Sequence, residues 1–445
     1  MSRQARSVCR PSRLTAGVRI AIVGAGGAGL TTAWLLEAAH EVTLLEQEER
    51  LGGHADTVDI EQHGVSYSID AGFEFFSASM FPTLLRLVKL LALPLHRFPM
   101  TFTFYTTDGR RTIVMPPLRP GGIAWSSFAP RTLGLLLQFQ RLLERAPATI
   151  DLDGGAFTLE EFLDSNHASA TLRDEFFYPF ALGGWCVEMA EFVQFSAYDV
   201  LRYFVLNRPP GLGPTWWFEA KGGTQTYVAA LARSLRRTQV RRSARVTGVH
   251  RSPGEDTRYL IAVDDGSVQE VDAVVLATNA SQAAELLAGL PGMERRSREL
   301  SRFEYFTTTI AVHGDERLMP RRQRHWSVFN TGFDGAHSTS TVWKPWNTGS
   351  RPIFRSWVTY ENHLPTPLYA LRTYEHPKVT RAYFEAQQAL HLMQGQDNVW
   401  LAGVYTHDVD CHESAVLSAV HIAEHFAPAE ERLRALTGAS VVPVS

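Results

Sequence analysis

A strand, a glycine-rich turn and a helix near the N-terminus, with an apolar strand far downstream, predict an α/β chain. A helical block rich in Phe and Trp lies between them. The expected architecture is a Rossmann-type dinucleotide-binding domain, interrupted by a discontinuous α+β domain with a helical insertion. The founding stretch is VRIAIVGAGGAGLTTAWLLEAAHEVTLLEQEERLGG, residues 18–53. Residues 18–23 form a short β-branched run, as a buried parallel strand requires. Gly24, Gly26 and Gly29 then give G-x-G-x-x-G: one glycine for the tight turn, one for backbone approach to a pyrophosphate, one for close helix–sheet packing. A helix over 28–39 begins at that turn, so its positive end and free N–H groups face the phosphates. The next strand, 41–45, ends at Glu46, 22 residues after Gly24, where a carboxylate accepts hydrogen bonds from a ribose diol.

Length and composition bound the rest. A chain of 445 residues, 45% hydrophobic and 20% charged, is large enough for two or three ordinary globular cores. Its net charge of −3 gives no reason to expect a nucleic acid partner, and the short arginine clusters, such as Arg241-Arg242-Arg245, read as solvated faces. Three widely spaced cysteines, Cys9, Cys186 and Cys411, make neither a disulfide framework nor a C-x-x-C pair, which fits a reducing cytoplasm. Residues 1–17 are Arg/Ser-rich without the apolar stretch of a secretory signal and read as a disordered tail. No apolar run reaches the roughly 18 residues of a membrane span.

The remaining elements follow in order. Residues 65–70 alternate as a strand and lead into Asp70-Ala71-Gly72-Phe73-Glu74. Pro82 opens a helix over 82–93, and Asp108-Gly109 joins a hairpin of 102–105 and 111–115. Helices are expected over 131–146, 175–182 and 197–206, with Thr158-x-x-Glu161 as a capping box. This block, roughly 80–215, reads as a cap over a hydrophobic substrate, with Tyr178 and Trp185 as cavity candidates. Lys221-Gly222-Gly223-Thr224 precedes a helix over 227–235. A strand over 244–249, a hairpin across Asp265-Gly266 and the apolar strand 272–278 return to the first domain. Strands over 307–313, 325–329, 340–343 and 353–358 suggest a mixed or antiparallel sheet. Trp326, Trp343, Trp346 and Trp357 fall on or beside it, mostly as core, with at least one expected at the cavity. A strand over 399–403 and a helix over 413–426 close the chain. The division expected is 18–80, 219–290 and 396–430 for the dinucleotide domain, 81–218 and 291–395 for the substrate domain, and a tail over 431–445.

Several of these pieces carry a resemblance. Glu46 is followed by Arg50-Leu51-Gly52-Gly53, Asp70-x-Gly72 lies next along the chain, and Lys221–Gly223, 272–278 and Ala402-Gly403 to Glu413 come in order. Together they resemble the flavin-containing amine oxidase and phytoene desaturase superfamily, whose members are two-dinucleotide-binding-domain flavoproteins. LGGH at 51–54, YEHP at 374–377 and HE at 412–413 are similar to a bacterial branch of predicted NAD/FAD-binding proteins often encoded beside cyclopropane fatty acid synthases. The resemblance implies non-covalent FAD. It places Arg50, Gly52 and Gly53 along the pyrophosphate and ribityl path, Gly72 at the flavin, Val246 at the adenine end, and Gly403 and Glu413 at the final flavin segment. It implies an oxidoreductase acting on a C–H bond in a C–N or C–C unit of a hydrophobic small molecule, with O₂ or another electron acceptor. Desaturation or isomerisation of a lipid or isoprenoid, or a biosynthetic flavoprotein cyclase, is the alternative. The aromatic insertion leaves room for peripheral membrane contact.

Two departures stand out. No lysine lies between Asp272 and Trp343, which argues against a lysine-assisted amine oxidase mechanism, and Ser418-Ala419 replaces the usual Ser-Gly. Glu74, flanked by Phe73, Phe75 and Phe76, is the expected catalytic base, because burial among phenyl rings raises a carboxyl pKa. His376 is a substrate-contact candidate. His407, Asp408, Asp410, His412 and Glu413 cluster in sequence, but inside a flavin segment they are not expected to hold a metal.

Overall fold

In the computed structural model, residues 17–438 are described, apart from 154, 156 and 210. The tail expected over 1–17 lies almost wholly outside the described residues, as does Cys9. A five-stranded parallel sheet carries the fold, in the order Gln239–Arg241, Glu41–Leu45, Arg19–Val23, Ala273–Leu276, Val399–Leu401. Its central strands are buried on both faces, which is why they read as continuous apolar runs rather than alternating ones. The Gly27–Leu36 helix is buried along its whole length beneath the His412–Phe426 helix. Such packing requires the absence of a side chain at Gly29, where a Cβ would fall 1.9 Å from the Gly24 carbonyl oxygen. Gly24 itself has φ +98°, a conformation that disfavours any other residue.

A three-stranded antiparallel sheet, Val246–Ser252, Glu255–Val263 and Val268–Val271, follows the expected hairpin. The second large sheet has seven strands in the order Leu368–Pro377, Tyr305–His313, Phe354–Trp357, Ser338–Val342, Phe329–Phe333, Phe102–Thr106, Thr112–Met115. It is antiparallel except for the pairing of Phe329–Phe333 with Phe102–Thr106. The Pro130–Asp153, Tyr178–Trp185 and Ala197–Leu206 helices pack over it through a phenylalanine cluster that includes Phe104, Phe139, Phe176 and Phe180. Thr158 and Glu161 make the reciprocal capping box. Among the described residues, no helix is long and apolar enough to cross a membrane.

Three expectations change. The strand foreseen at 325–329 begins only at Phe329. Gln323–His325 is a 3₁₀ turn, which lets Trp326 turn inward and donate to the Pro320 carbonyl (2.9 Å). The tail foreseen from 431 begins instead with a helix, Glu431–Thr437, that buries Leu433 and Leu436 against the Pro82–Leu90 helix. Glu413, placed at the flavin by resemblance, points the other way: its two oxygens accept the Thr83 and Leu84 N–H groups, both at 2.8 Å. It therefore satisfies the otherwise orphaned first turn of Pro82–Leu90. Glu413→Ala is expected to cost about 2 kcal/mol, seen as a lower urea midpoint with cofactor content unchanged.

Candidate active site

The glycine turn and the segments facing it form one slot. Glu46 ends its strand with Oε2 accepting the Ala25 N–H (2.7 Å) and Oε1 the Glu48 N–H (3.0 Å), which fixes the carboxylate beside the turn. A Cβ built on Gly26 would meet nothing within 4 Å, so this backbone faces open space. Gly52 bridges to Gly26, and its N–H donates to Ala25 O (2.9 Å). Arg50 braces the loop by donating to Gly53 O (2.8 Å) and Ala55 O (3.0 Å). Gly72 lies so close to this loop that a Cβ would sit 1.9 Å from His54 O. Gly403 has φ +140°, and its N–H donates to Ser418 Oγ (3.0 Å), which gives a use to the serine of the departing Ser-Ala pair. Val246 is buried, two residues past Ala244, whose N–H donates to Glu46 O (2.8 Å). The open helix N-termini at Gly27 and His412 lack side-chain caps. A backbone-lined cradle with one fixed carboxylate and uncapped N–H groups fits a dinucleotide, and Gly24, Gly26, Gly29, Glu46, Arg50, Gly52 and Gly53 meet in it, with Gly72 against the same loop.

Beyond the slot lies a cavity of about 1000 Å³. It starts at His54, Gly72, Phe73 and His412 and runs under the helical cap to Leu137 and Leu212. Of the expected catalytic residues, Glu74 and His376 line it and Tyr178 does not. Tyr178 is turned into the helical core beside Phe177, where its hydroxyl meets Arg173. Trp185 and Trp357 line the cavity. Trp326 and Trp343 pack on each other in the sheet core, and Trp346 stacks on Phe98.

Glu74 is not alone. It is 5% exposed, 3.4 Å from Lys344 Nζ and 3.5 Å from Arg355 Nη1. Lys344 also meets Glu219 (2.9 Å) and Asp70 (3.7 Å). Arg355 lies over the Trp357 ring at 3.5 Å and donates to the Ala71 and Gly72 carbonyls. Burial raises the Glu74 pKa against the pull of Lys344 and Arg355. Burial opposes the Lys344 ammonium, but Glu219, Glu74 and Asp70 outweigh it and hold it protonated. Three carboxyls face two cations here. Asp70 is satisfied by the Thr57 hydroxyl and the Thr224 N–H and hydroxyl, and Glu219 by Lys344, Trp346 and Asn347. Glu74 has only the two cations as partners, Lys344 at Oε2 and Arg355 at Oε1, and with the fewest donors of the three it is the carboxyl best placed to carry an extra proton. Sequence reading stopped at Trp343, one residue short of Lys344. The available signal was one of only four lysines standing in an apolar, tryptophan-flanked run.

The histidines are neutral. His376 stacks on His54 at 5.4 Å, and burial, with His54 and Arg355 nearby, brings its pKa down to about 3. Burial holds His54 and His412 at about 4. The candidate metal residues disperse: His412 stacks on Phe73 (4.5 Å), Asp408 pairs with Arg202 (2.9 Å), and Glu413 caps a helix.

Comparison with known proteins fits this geometry. A CLA-producing fatty acid isomerase from P. acnes superposes with a TM-score of 0.68 at 17% identity, over 92% of this chain and 99% of that one. A cyclohexylamine oxidase from Brevibacterium oxydans gives 0.63 at 16% identity, again over 92% and 99%. At such identities these likenesses speak for the fold alone. A stretch of 47 residues is 51% identical to an L-amino-acid oxidase of Pseudechis australis, and it spans 10% of this chain and 9% of that protein. The family model for flavin containing amine oxidoreductases matches residues 28–367. The chain belongs to that family of flavin-dependent oxidoreductases.

Proposed function

We propose that the protein binds FAD non-covalently and oxidises a C–H bond, next to nitrogen or within a C–C unit, in a hydrophobic small molecule. The cavity carries this reading: it adjoins the glycine-lined slot, and phenylalanine, leucine, proline and tryptophan make half of its lining residues. FAD, when bound, supplies the two-electron acceptor, which O₂ or another acceptor then reoxidises. The protein's part is to hold, orient and dry. Gly26, Glu46, Gly52, Gly53, Gly72 and Gly403 hold the cofactor. Trp185 and Trp357 orient the substrate, and the neutral rings of His54 and His376 add hydrogen-bonding groups without charge. The phenyl-lined wall keeps water out, which strengthens every remaining electrostatic contact. Glu74 takes or returns a proton, with Lys344 and Arg355 fixing the carboxyl in place.

A lipid or isoprenoid substrate is the second reading, and the cavity mouth favours it. Leu118, Ile123, Trp125, Leu137 and Leu212 are 43–74% exposed. Leu137 and Leu212 line the cavity, and the Leu118 N–H donates to Leu212 O (3.2 Å). An apolar rim around a cavity entrance suits contact with a lipid surface.

Acid precipitation of the purified yellow protein is expected to leave a colourless pellet and FAD in solution. A coloured pellet would point to attachment, with the cavity-lining Cys411 as the nearest thiol. Glu74→Gln is expected to keep FAD and lower turnover about 10²-fold; an unchanged rate removes Glu74 from the chemistry. A screen with apolar amines and unsaturated lipids separates the two readings, since C–N oxidation of a primary amine releases ammonia and lipid chemistry does not. On sedimentation with phosphatidylcholine vesicles, Trp125→Ser is expected to weaken binding roughly tenfold, about what burial of one large side chain contributes. Equal sedimentation of both proteins would dismiss the rim as a lipid contact.

A further inference from the structure

The cavity has a second carboxyl group that the chemistry above does not use. Asp410 lies on its wall beside Cys411 and His412, just before the His412–Phe426 helix. Behind it is Asp199, fully buried in the first turn of the Ala197–Leu206 helix. Asp199 Oδ1 accepts the Asp410 N–H (3.0 Å), and Oδ2 accepts the Trp185 indole N–H (3.2 Å). Tyr203 donates to the Asp410 carbonyl (2.9 Å). The Asp410 carboxyl itself takes no hydrogen bond from any described residue. The other groups around the pair are Arg202 and Asp408 beside Asp199, and Cys411, Tyr203, Tyr305 and Tyr383. Among these, Arg202 is the one cation, and it is committed to Asp408 (2.9 Å) and to the Tyr198 hydroxyl (2.8 Å). Two buried carboxyls without a cation of their own cannot both ionise cheaply, so they hold a proton between them.

We propose that Asp410, with Asp199 packed behind it, is a second acid–base group of this cavity and exchanges a proton with an N–H or O–H group of the bound substrate. The proposal rests on the cavity being the substrate site. In the exchange, the substrate's N–H or O–H bond breaks and an O–H bond forms on Asp410. The bonding electron pair stays on the substrate heteroatom, and nothing is oxidised or reduced. Asp199 is the positioning residue: with no surface of its own, it holds the Asp410 backbone and supplies the neighbouring charge that keeps the proton on the pair. Burial lifts Asp410 to about 8, with Asp199 adding to it. Burial likewise lifts Asp199 to about 7, against the hydrogen bonds from Asp410 and Trp185. The pair therefore changes protonation in the neutral range.

Dicyclohexylcarbodiimide tests this on the holoenzyme without a known substrate. The reagent is apolar and reacts with a protonated carboxyl: the acid proton moves to a carbodiimide nitrogen, the carboxyl oxygen bonds to the central carbon, and rearrangement leaves a stable N-acylurea. Peptide mass mapping at pH 7.5 is expected to find the label on Asp410, with labelling falling off near pH 8. Asp199→Asn removes the neighbouring charge and is expected to slow labelling about threefold at pH 7.5, the effect there of lowering the Asp410 pKa by about one unit from about 8. Asp410→Asn keeps the backbone donor to Asp199 and is expected to abolish the label while retaining FAD. Thermal midpoints give a readout for the unmodified chain. Both carboxyls are more basic folded than unfolded, so the pair's contribution to stability is full below about pH 4 and is lost as pH rises through about 7 to 8. Asp410→Asn flattens that decline. No label on Asp410, a label on Glu74 alone, or a rate indifferent to Asp199→Asn would overturn the proposal. A labelled Asp410 in a protein that binds no FAD would instead sink the oxidoreductase reading and leave the proton site standing.

Discussion

The Lys344 ammonium is the contact that the site depends on. It brings Asp70 and Glu74 from the chain leaving the Val65–Asp70 strand to Glu219 from the Trp216–Ala220 strand, at 2.9–3.7 Å. Arg355 adds a second cation and grips the Ala71 and Gly72 carbonyls. Removing one partner from such a buried group typically costs about 3–5 kcal/mol, because the charges left behind lose their compensation. The cluster therefore fixes Gly72 and Phe73, where slot and cavity meet, more rigidly than apolar packing alone. With three acids and two bases it cannot be neutral unless a proton resides on it. The same charges that hold the loop thus leave Glu74, which lines the cavity, as the titratable carboxyl.

What the sequence makes legible is whatever a short stretch must do by itself. The G-x-G-x-x-G turn, the Asp-Gly hairpins and the Thr158 capping box each satisfy a local backbone requirement, and each is found where its residues stand. The order of the parallel sheet is another matter. Gln239–Arg241 and Val399–Leu401 join its two edges from the middle and the far part of the chain, and no local pattern specifies that. Residues 325–329 misled for the same reason. Aromatic and β-branched character suits a half-buried strand, but Trp326 reaches its burial by turning inward from a 3₁₀ turn. The helix at 431–437 escaped notice because its two leucines have meaning only against Pro82–Leu90.

The site divides along the same line. Glycines and Glu46 announce themselves because their spacing encodes a backbone path. Tyr178 was expected at the cavity from its place in the helical insertion and Glu413 at the flavin by resemblance, and their roles turned on which neighbour lay across from them: Arg173 for one, the Pro82–Leu90 N-terminus for the other. Lys344, Arg355, Asp199 and Asp410 acquire roles only by meeting residues as much as 284 positions away. Their sequence signal was weak but present: each is a charge inside an apolar or alternating run, as in VWKPW, IFRSWV and AYDVL. A charge in such a run has to find a partner in the fold.

The cavity's charges are sorted by wall. On one side, Glu74 is held between two cations; on the other, Asp410 and Asp199 face each other with no cation to spare. Between them, His54, His376 and His412 are held neutral by burial far below their ordinary range. Histidine is usually the group that responds near neutral pH. Here the roles are reversed: burial pushes imidazoles down and carboxyls up, so across the neutral range the histidines keep their state and the acids change theirs. An apolar cavity that moves protons without charging its imidazoles has this as its simplest solution. Protonated carboxyls are neutral, compact and able both to donate and to accept, and they leave the aromatic walls free to hold an apolar substrate against the slot.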